Sequence, residues 1–364
     1  MTDESGLREA DTFAAHLINV VNSAMLALMI SVGDRTGLFD IMEQLTPSNS
    51  ADIAKAAGLD ERYVREWLAA MATGGIVSHD PATLTFALPP EHAAGLKRVV
   101  GGPGGEGLSG LTQHVGFLAQ MEDQVIECFR QGGGLPYEVF EPAWGNRLAP
   151  KPQVAGPVRD AALIDGALPL IPQVVEQLQL GIDVADVGCA GGRQITTLAR
   201  MFPASSFVGF DFYSDKALAE ATANAARNGL TNLRFEKKDA ATLDGSEQFD
   251  FITTFDSVHD QARPDVVLRA IAQSLRPNGV YLCVDTSGSS TLADNLSDPL
   301  GAFKYTWSVM HCMTVSLAYG GMGLGTVWGE ELARQMITEA GFSSVETVHL
   351  PGDLINCYHI ATMA

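Results

Sequence analysis

The sequence predicts an α/β protein in which a doubly wound parallel sheet follows a smaller, mostly α-helical N-terminal domain. Three observations carry this. From Gly181 onward short apolar runs alternate with helical patterns, as a parallel sheet with crossover helices requires. A glycine-rich turn, Asp186-Val-Gly188-Cys189-Ala190-Gly191-Gly192, follows one of those runs and opens a helical pattern. Upstream, two short capped helices precede two strand-like segments. At 364 residues the chain exceeds what one hydrophobic core usually holds, so more than one domain is expected.

Thr12 is a fitting N-cap for a first helix in which Phe13, Leu17, Val20, Val21, Ala24 and Leu28 recur at helical spacing, with Met25, Met29 and Ile30 on the other faces. A helix apolar on most sides must be covered on most sides. The cover is either a second copy of the chain, making this a dimerisation helix, or the rest of its own domain. Ser50 then caps Ala51–Ala57, Gly58 ends that helix, and Asp60 caps another through Trp67, Leu68 and Met71 to Gly74-Gly75. Ile76–Ser78 and Leu84–Leu88, joined around Asp80-Pro81, supply a two-stranded wing. The unit has the pattern of a winged helix. Arg62 and Arg65 are offset by Glu61 and Glu66, which leaves no cationic face for phosphates, so packing is favoured over reading DNA.

Gly101–Gly107 marks a loop or linker, Leu111–Arg130 is helical in pattern, and further helical patterns run from Val158 to Leu180. The alternating region then follows as Val184–Val187, Gln194–Met201, Ser206–Phe210, Lys216–Asn228, Leu233–Glu236, Phe249–Phe255, Val266–Leu275 and Val280–Val284. The divisions drawn are residues 1–100 as a winged-helix and dimerisation domain, 101–180 as a helical connector and pocket cover, and 181–364 as the sheet domain.

A formal charge of −20 argues against nucleic acid and anionic membranes, both of which reward clustered Lys and Arg. The five cysteines are scattered and form no C-x-x-C, so disulfides and structural zinc are not expected. Met1–Ala10 lacks the basic start and apolar core of a secretion signal. Leu17–Val32 is interrupted by Asn19, Asn22, Ser23 and Ser31, short of the roughly 20 apolar residues that span a bilayer. A cytoplasmic protein is expected.

Ligands on wound sheets lie at the carboxyl ends of the strands, where chain order reverses. Four such ends carry suitable groups here. Asp186 stands ahead of the turn Gly188, Cys189, Ala190 and Gly192; Asp211-Phe212 ends the next strand, suited to ribose hydroxyls; Asp239-Ala240 suits an adenine edge; Phe255-Asp256 closes the fourth. The dinucleotide fingerprint puts its acid downstream of the turn and leaves the helix start for pyrophosphate, whereas here the acid precedes the turn and Arg193 stands where the third glycine belongs. An acid ahead of a glycine turn suits a cofactor with a positive centre and a free ammonium, S-adenosyl-L-methionine. Any one of these carboxylates serves equally as a helix cap. Four in succession are harder to explain that way.

Residues 181–285 resemble the Rossmann-like class I S-adenosylmethionine-dependent methyltransferases. Leu275-Arg-Pro-Asn-Gly-Val-Tyr-Leu282 is similar to that family's L-x-P-G-G segment before the fifth strand, while Ala190 departs from its glycine loop and would crowd an adenosyl group if its φ is positive. The whole arrangement is similar to dimeric small-molecule O-methyltransferases and to bacterial winged-helix methyltransferases. The sharpest shared piece is Val258-His259-Asp260, matching an L-H-D of those enzymes. By that resemblance His259 is the general base and Asp260 a cofactor-side or orienting acid.

An imidazole suits that task near neutral pH, because a hydroxyl acceptor must lose a proton. The aromatic, Met-rich stretch Phe303–Tyr319 overhangs the cofactor in this reading, and Trp307, Met310 and His311 lie three or four apart on one helical face. With Tyr137 they are the candidate acceptor lining. Gly320–Gly325 suits a lid hinge rather than a nucleotide loop. His311, Cys312, His259 and Asp256 follow no ligand-spacing motif, so no metal is expected. Two rivals are a transcriptional regulator with a DNA-binding wing and a ligand-sensing C-terminal fold, and a nicotinamide-dependent oxidoreductase. Acidity disfavours the first and Arg193 the second.

Overall fold

A computed structural model describes residues 4–96, 108–141, 162–212, 215–243 and 245–364, the side chains of residues 4–11 and 162 excepted. The Gly101–Gly107 linker and the start of the Val158–Leu180 pattern lie outside the described residues. The chain forms two compact units, residues 1–99 with 106–119 and residues 100–105 with 120–364.

In the first unit one helix runs Glu4–Thr36, so Thr12 lies inside it rather than capping it. Leu7, Arg8, Glu9 and Ala10 are good helix formers, and no Pro or Gly after Gly6 stops the helix before it reaches them. By length and composition, Thr12–Thr36 is also sufficient to cross a membrane, which corrects the expectation drawn from its polar interruptions. Its C-terminal part packs by Leu26, Met29 and Ile30 against a core of Leu38, Ile53, Trp67, Leu68 and Met71. The Trp67 indole N–H donates to the Met29 carbonyl at 2.8 Å. Its N-terminal part presents Phe13, Ile18, Val21 and Met25, each 59–62% exposed.

Helices Ser50–Ala57 and Glu61–Thr73 follow, with Asn49 rather than Ser50 as the first cap, its side chain accepting from the Asp52 N–H. Asp60 caps the second helix, and Gly58 ends the first at φ 67°. The wing is β1 (Ser78–Asp80) antiparallel to β2 (Thr85–Ala87). Arg62 pairs with Glu66 and Arg65 with Glu61 across one helical turn, the neutralised face expected from the sequence. Helix Leu108–Leu118 belongs to this unit, tied by Ser109 to the Leu96 carbonyl and by Gln113 to Asp34.

The second unit holds a seven-stranded sheet: β3 (Asp183–Val187), β4 (Ser206–Asp211), β5 (Leu233–Lys237), β6 (Phe249–Phe255), β7 (Leu275–Thr286), β8 (Ser344–Val348) and β9 (Asn356–Thr362). Their order is β5-β4-β3-β6-β7-β9-β8. All pairs from β5 to β7 are parallel, and β9 runs antiparallel to β7 and β8. Strand residues alternate between two apolar layers: Ala185, Val187, Val208, Ile252 and Cys283 face one, Val184, Phe207, Phe251, Leu282 and Val284 the other. Helices Arg193–Met201, Asp215–Arg227 and Pro264–Ser274 supply crossovers.

Chain order reverses between β3 and β6, which opens a crevice at their carboxyl ends. At the opposite ends Arg276 donates to Asp183, which opens β3, and to Asp250 near the start of β6, at 2.8 and 2.5 Å. A shallow apolar groove of about 750 Å³, lined by Leu168, Pro172, Val175 and Phe202, also lies at that far side and takes no part in the crevice.

Candidate active site

The glycine turn bends because three of its residues adopt positive φ: Gly188 at 74°, Ala190 at 47° and Gly192 at 67°. Side chains are excluded at two of them, since a Cβ on Gly188 would lie 2.6 Å from Ser257 and one on Gly192 would lie 2.2 Å from the Phe235 ring. Ala190 is thus in the left-handed region that the sequence flagged as crowded. Its N–H donates to Asp211 Oδ2 at 2.7 Å, while the N–H groups of Gly188 and buried Cys189 both reach the Phe210 carbonyl. Ala190 and Gly191 themselves stay exposed to solvent.

Behind the turn Asp186 is buried and accepts from the Thr253 hydroxyl at 2.8 Å. Burial pushes its carboxyl up to about 7, with the Thr253 bond opposing and the charge of Asp211 adding. Asp256, just past Phe255, sits at φ 48° with its N–H on the Val284 carbonyl. The residue keeps contact with solvent although protein crowds its carboxyl. That enclosure, and then Asp285, hold its carboxyl above the ordinary range. Asp239 is different: it is exposed, and its carboxylate caps the single turn Ala240–Thr242 by accepting from Ala241 N–H. Phe212 is half exposed and meets Tyr319 edge-on at 6.1 Å.

Past β6 the chain turns inward and buries His259 at 2% exposure. Its Nδ1 lies 2.5 Å from Asp285 Oδ1, and its Nε2 lies 3.2 Å from Asp260 Oδ1. The short orienting bond to the imidazole therefore comes from Asp285, at the end of β7, and Asp260 stands on the other ring nitrogen. Asp260 Oδ2 accepts from the Tyr137 hydroxyl. Burial opposes charge on the ring, but Asp285, Cys312 and Asp260 outweigh it and hold the imidazole pKa well above its usual value.

The expected helix after β7 is broken into Gly301–Trp307, a π turn at Ser308–Cys312, and Met313–Ala318. π turns of this kind gather at functional sites. Trp307 stacks on His311 at 5.4 Å, and Tyr137 and Phe140 meet the same ring at 5.6 and 4.6 Å. Met310 is half-buried beside them. Gly320–Gly325 is tied to this segment and to the His259 loop: Gly321 N–H reaches the Ser316 carbonyl, Gly323 N–H the Ser316 hydroxyl and Met322 N–H the Ala262 carbonyl.

Asp186, Ala190, Asp211, Asp256, His259 and Asp260 thus cluster at one edge of the sheet. Tyr137 joins them through Asp260, and Trp307 and His311 through Tyr137. Sequence reading missed Asp285 and Thr253. The signal for Asp285 was available, since it is one more carboxylate at a strand end.

Residues 178–341 match the model of a methyltransferase domain, and residues 24–98 that of an Rv2258c-like winged HTH domain. A fatty-acid O-methyltransferase of Mycolicibacterium smegmatis is 33% identical over 106 residues, 29% of this chain and 37% of that protein, so the match spans little more than a third of the relative. Among solved structures, a protein from Nostoc punctiforme described as a candidate O-methyltransferase superposes with TM-score 0.67 at 19% identity, covering 96% of this chain and 98% of the other. Human N-acetylserotonin methyltransferase, solved with S-adenosylmethionine, gives 0.59 at 15%, covering 96% and 98%. At such identities the likeness is one of fold. Family match and fold agree that this chain carries a winged helix-turn-helix domain over residues 24–98 and a methyltransferase domain over residues 178–341.

Proposed function

We propose that the protein transfers a methyl group from S-adenosylmethionine to a hydroxyl of a small molecule, with His259 as general base. The observation that carries this is the buried His259–Asp285 pair placed beside an acid-backed glycine turn at the reversal point of the sheet. The lining fits the cofactor by its chemistry: Asp186, Asp211 and Asp256 attract a sulfonium and an ammonium, and would repel a pyrophosphate. The backbone of Gly188–Gly192 with Asp186, Asp211 and Asp256 would hold it. Asp239 and Ala240 remain the proposed adenine contacts.

The bound cofactor supplies an activated methyl group, so the chain's own work is alignment and proton removal. Alignment of this kind is worth roughly 7–11 kcal/mol. Asp285 accepts the Nδ1 proton, fixes the ring tautomer and leaves Nε2 to take the acceptor's proton. Because Asp260 stands at Nε2 in this structure, the acceptor has to displace that carboxylate or share the nitrogen with it. Tyr137, Trp307, Met310 and His311 would line the acceptor side and favour a flat, partly apolar molecule.

The exposed apolar half of the first helix supports a homodimer through a second copy of that helix. Calorimetric titration of the protein with S-adenosylmethionine and with NAD tests the central reading. Micromolar binding of the first is expected; binding of NAD alone would overturn it.

A further inference from the structure

The methyl-transfer reading leaves one buried group beside the imidazole without a task. Cys312 closes the π turn, is 2% exposed, and its sulfur, a carboxylate oxygen of Asp260 and a ring nitrogen of His259 all lie within 4.8 Å of one another. We infer that His259 Nε2, Asp260 Oδ1 and Cys312 Sγ form a three-ligand site for a divalent ion of zinc's class, and that the ion and the acceptor's proton compete for the same nitrogen. The consequence for activity rests on the function proposed above; the metal site itself does not.

Four features argue for it. The donor set is one imidazole, one carboxylate and one thiolate, which suits a borderline-soft ion and not magnesium or calcium. Asp260 Oδ1 is buried and faces His259 Nε2 at 3.2 Å without a well-aligned hydrogen bond, so a cation between the two would satisfy both. The outer contacts that orient ligands are already in place: Asp285 holds His259 Nδ1, and the Tyr137 hydroxyl holds the other oxygen of Asp260. A carboxylate behind a ligating histidine is the usual support of a zinc site. Finally, three protein ligands leave one position of a tetrahedral ion to be filled by water or by the acceptor.

Binding balances simply. The ion coordinates the imidazole nitrogen, the carboxylate and the sulfur, and the thiol proton, with the ring proton where present, passes to solvent. No oxidant or reductant is needed. Sequence spacing gives no hint of the site, because its ligands come from the turn after β6 and from a π turn after β7.

The test titrates the metal-free, full-length protein with Co²⁺ and then Zn²⁺. One equivalent of Co²⁺ is expected to give visible bands of a four-coordinate site together with a thiolate-to-cobalt charge-transfer band, and Zn²⁺ to erase both. Cys312→Ser should lose the charge-transfer band and weaken Zn²⁺, measured against a chromophoric chelator, by tenfold or more. Asp285→Asn should weaken it roughly 10–100-fold through the imidazole, and Cys128→Ser, on helix Glu122–Gln131 and outside the cluster, should leave it unchanged. Zn²⁺ should raise the melting temperature of the parent and not of Cys312→Ser, which keeps the test sound if that variant is less stable. Absence of the charge-transfer band, or equal Zn²⁺ affinity in Cys312→Ser, overturns the site. S-adenosylmethionine binding measured on the same sample separates the two claims: zinc without cofactor binding sinks the proposed function and keeps the metal site, and cofactor without zinc does the reverse.

Discussion

At the residue scale the site turns on where protons sit. His259 has its imidazolium stabilised by buried carboxylates, so the free base becomes populated only at raised pH. The acid-side limb of kcat/KM is therefore expected above the ordinary value of about 6.5, with activity rising through it. Asp285→Asn removes the stabilising charge; the limb should move down in pH while the rate falls by roughly 10²-fold or more. His259→Ala is expected to cost roughly 10²–10⁴-fold in kcat. A loss of only a few-fold in single-turnover measurements would exclude the imidazole as base. Asp186 is perturbed for a different reason, burial, which pushes its carboxyl up to about 7. A cation must find it ionised, so cofactor affinity is expected to climb by up to about tenfold per pH unit below 7 and to level off above. Calorimetry across pH 5.5 to about 8.5 checks the sign.

At the element scale much was legible and the exceptions have causes. The alternation from Gly181 placed β3 to β7 because parallel strands buried on both faces are continuous apolar runs. β9 was not found, because it carries Asn356 and His359 inside and so breaks the apolar pattern. Asp285 escaped because β7 continues to Thr286, two residues beyond where its apolar run stops. The π turn escaped because it spans only five residues, too few for its shift from the 3.6-residue spacing to show. Ala190 was read correctly as a misfit: at φ 47° it bears strain a glycine would not. Ala190→Gly is expected to stabilise the fold by up to about 1 kcal/mol, less the glycine's entropy, in urea unfolding. Asp239 shows the reverse: the sequence offered both a cap and a ligand contact, and the carboxylate makes the cap.

At the scale of the whole molecule the first helix is half packed and half exposed, and charge is the sharper probe of what covers it. Val21→Asp, on the exposed face, is expected to turn a dimer into monomers in sedimentation equilibrium without unfolding the winged unit; a parent that is already monomeric would remove the dimer proposal. Charge is also unevenly resolved along the sheet. At one rim the acids of β3 and β6 are gathered by Arg276, a guanidinium the chain supplies itself. At the other rim Asp186 and Asp256 instead have their proton affinities raised, and protection from Asp186 in its protonated form is lost as pH rises through about 7. A positively charged guest thus completes in trans what arginine completes in cis. The intact methyl donor should lift the melting temperature more than its demethylated product, which keeps the ammonium but has lost the sulfonium charge, and the gap should shrink in mild acid, so that each turnover weakens the hold on what has been spent.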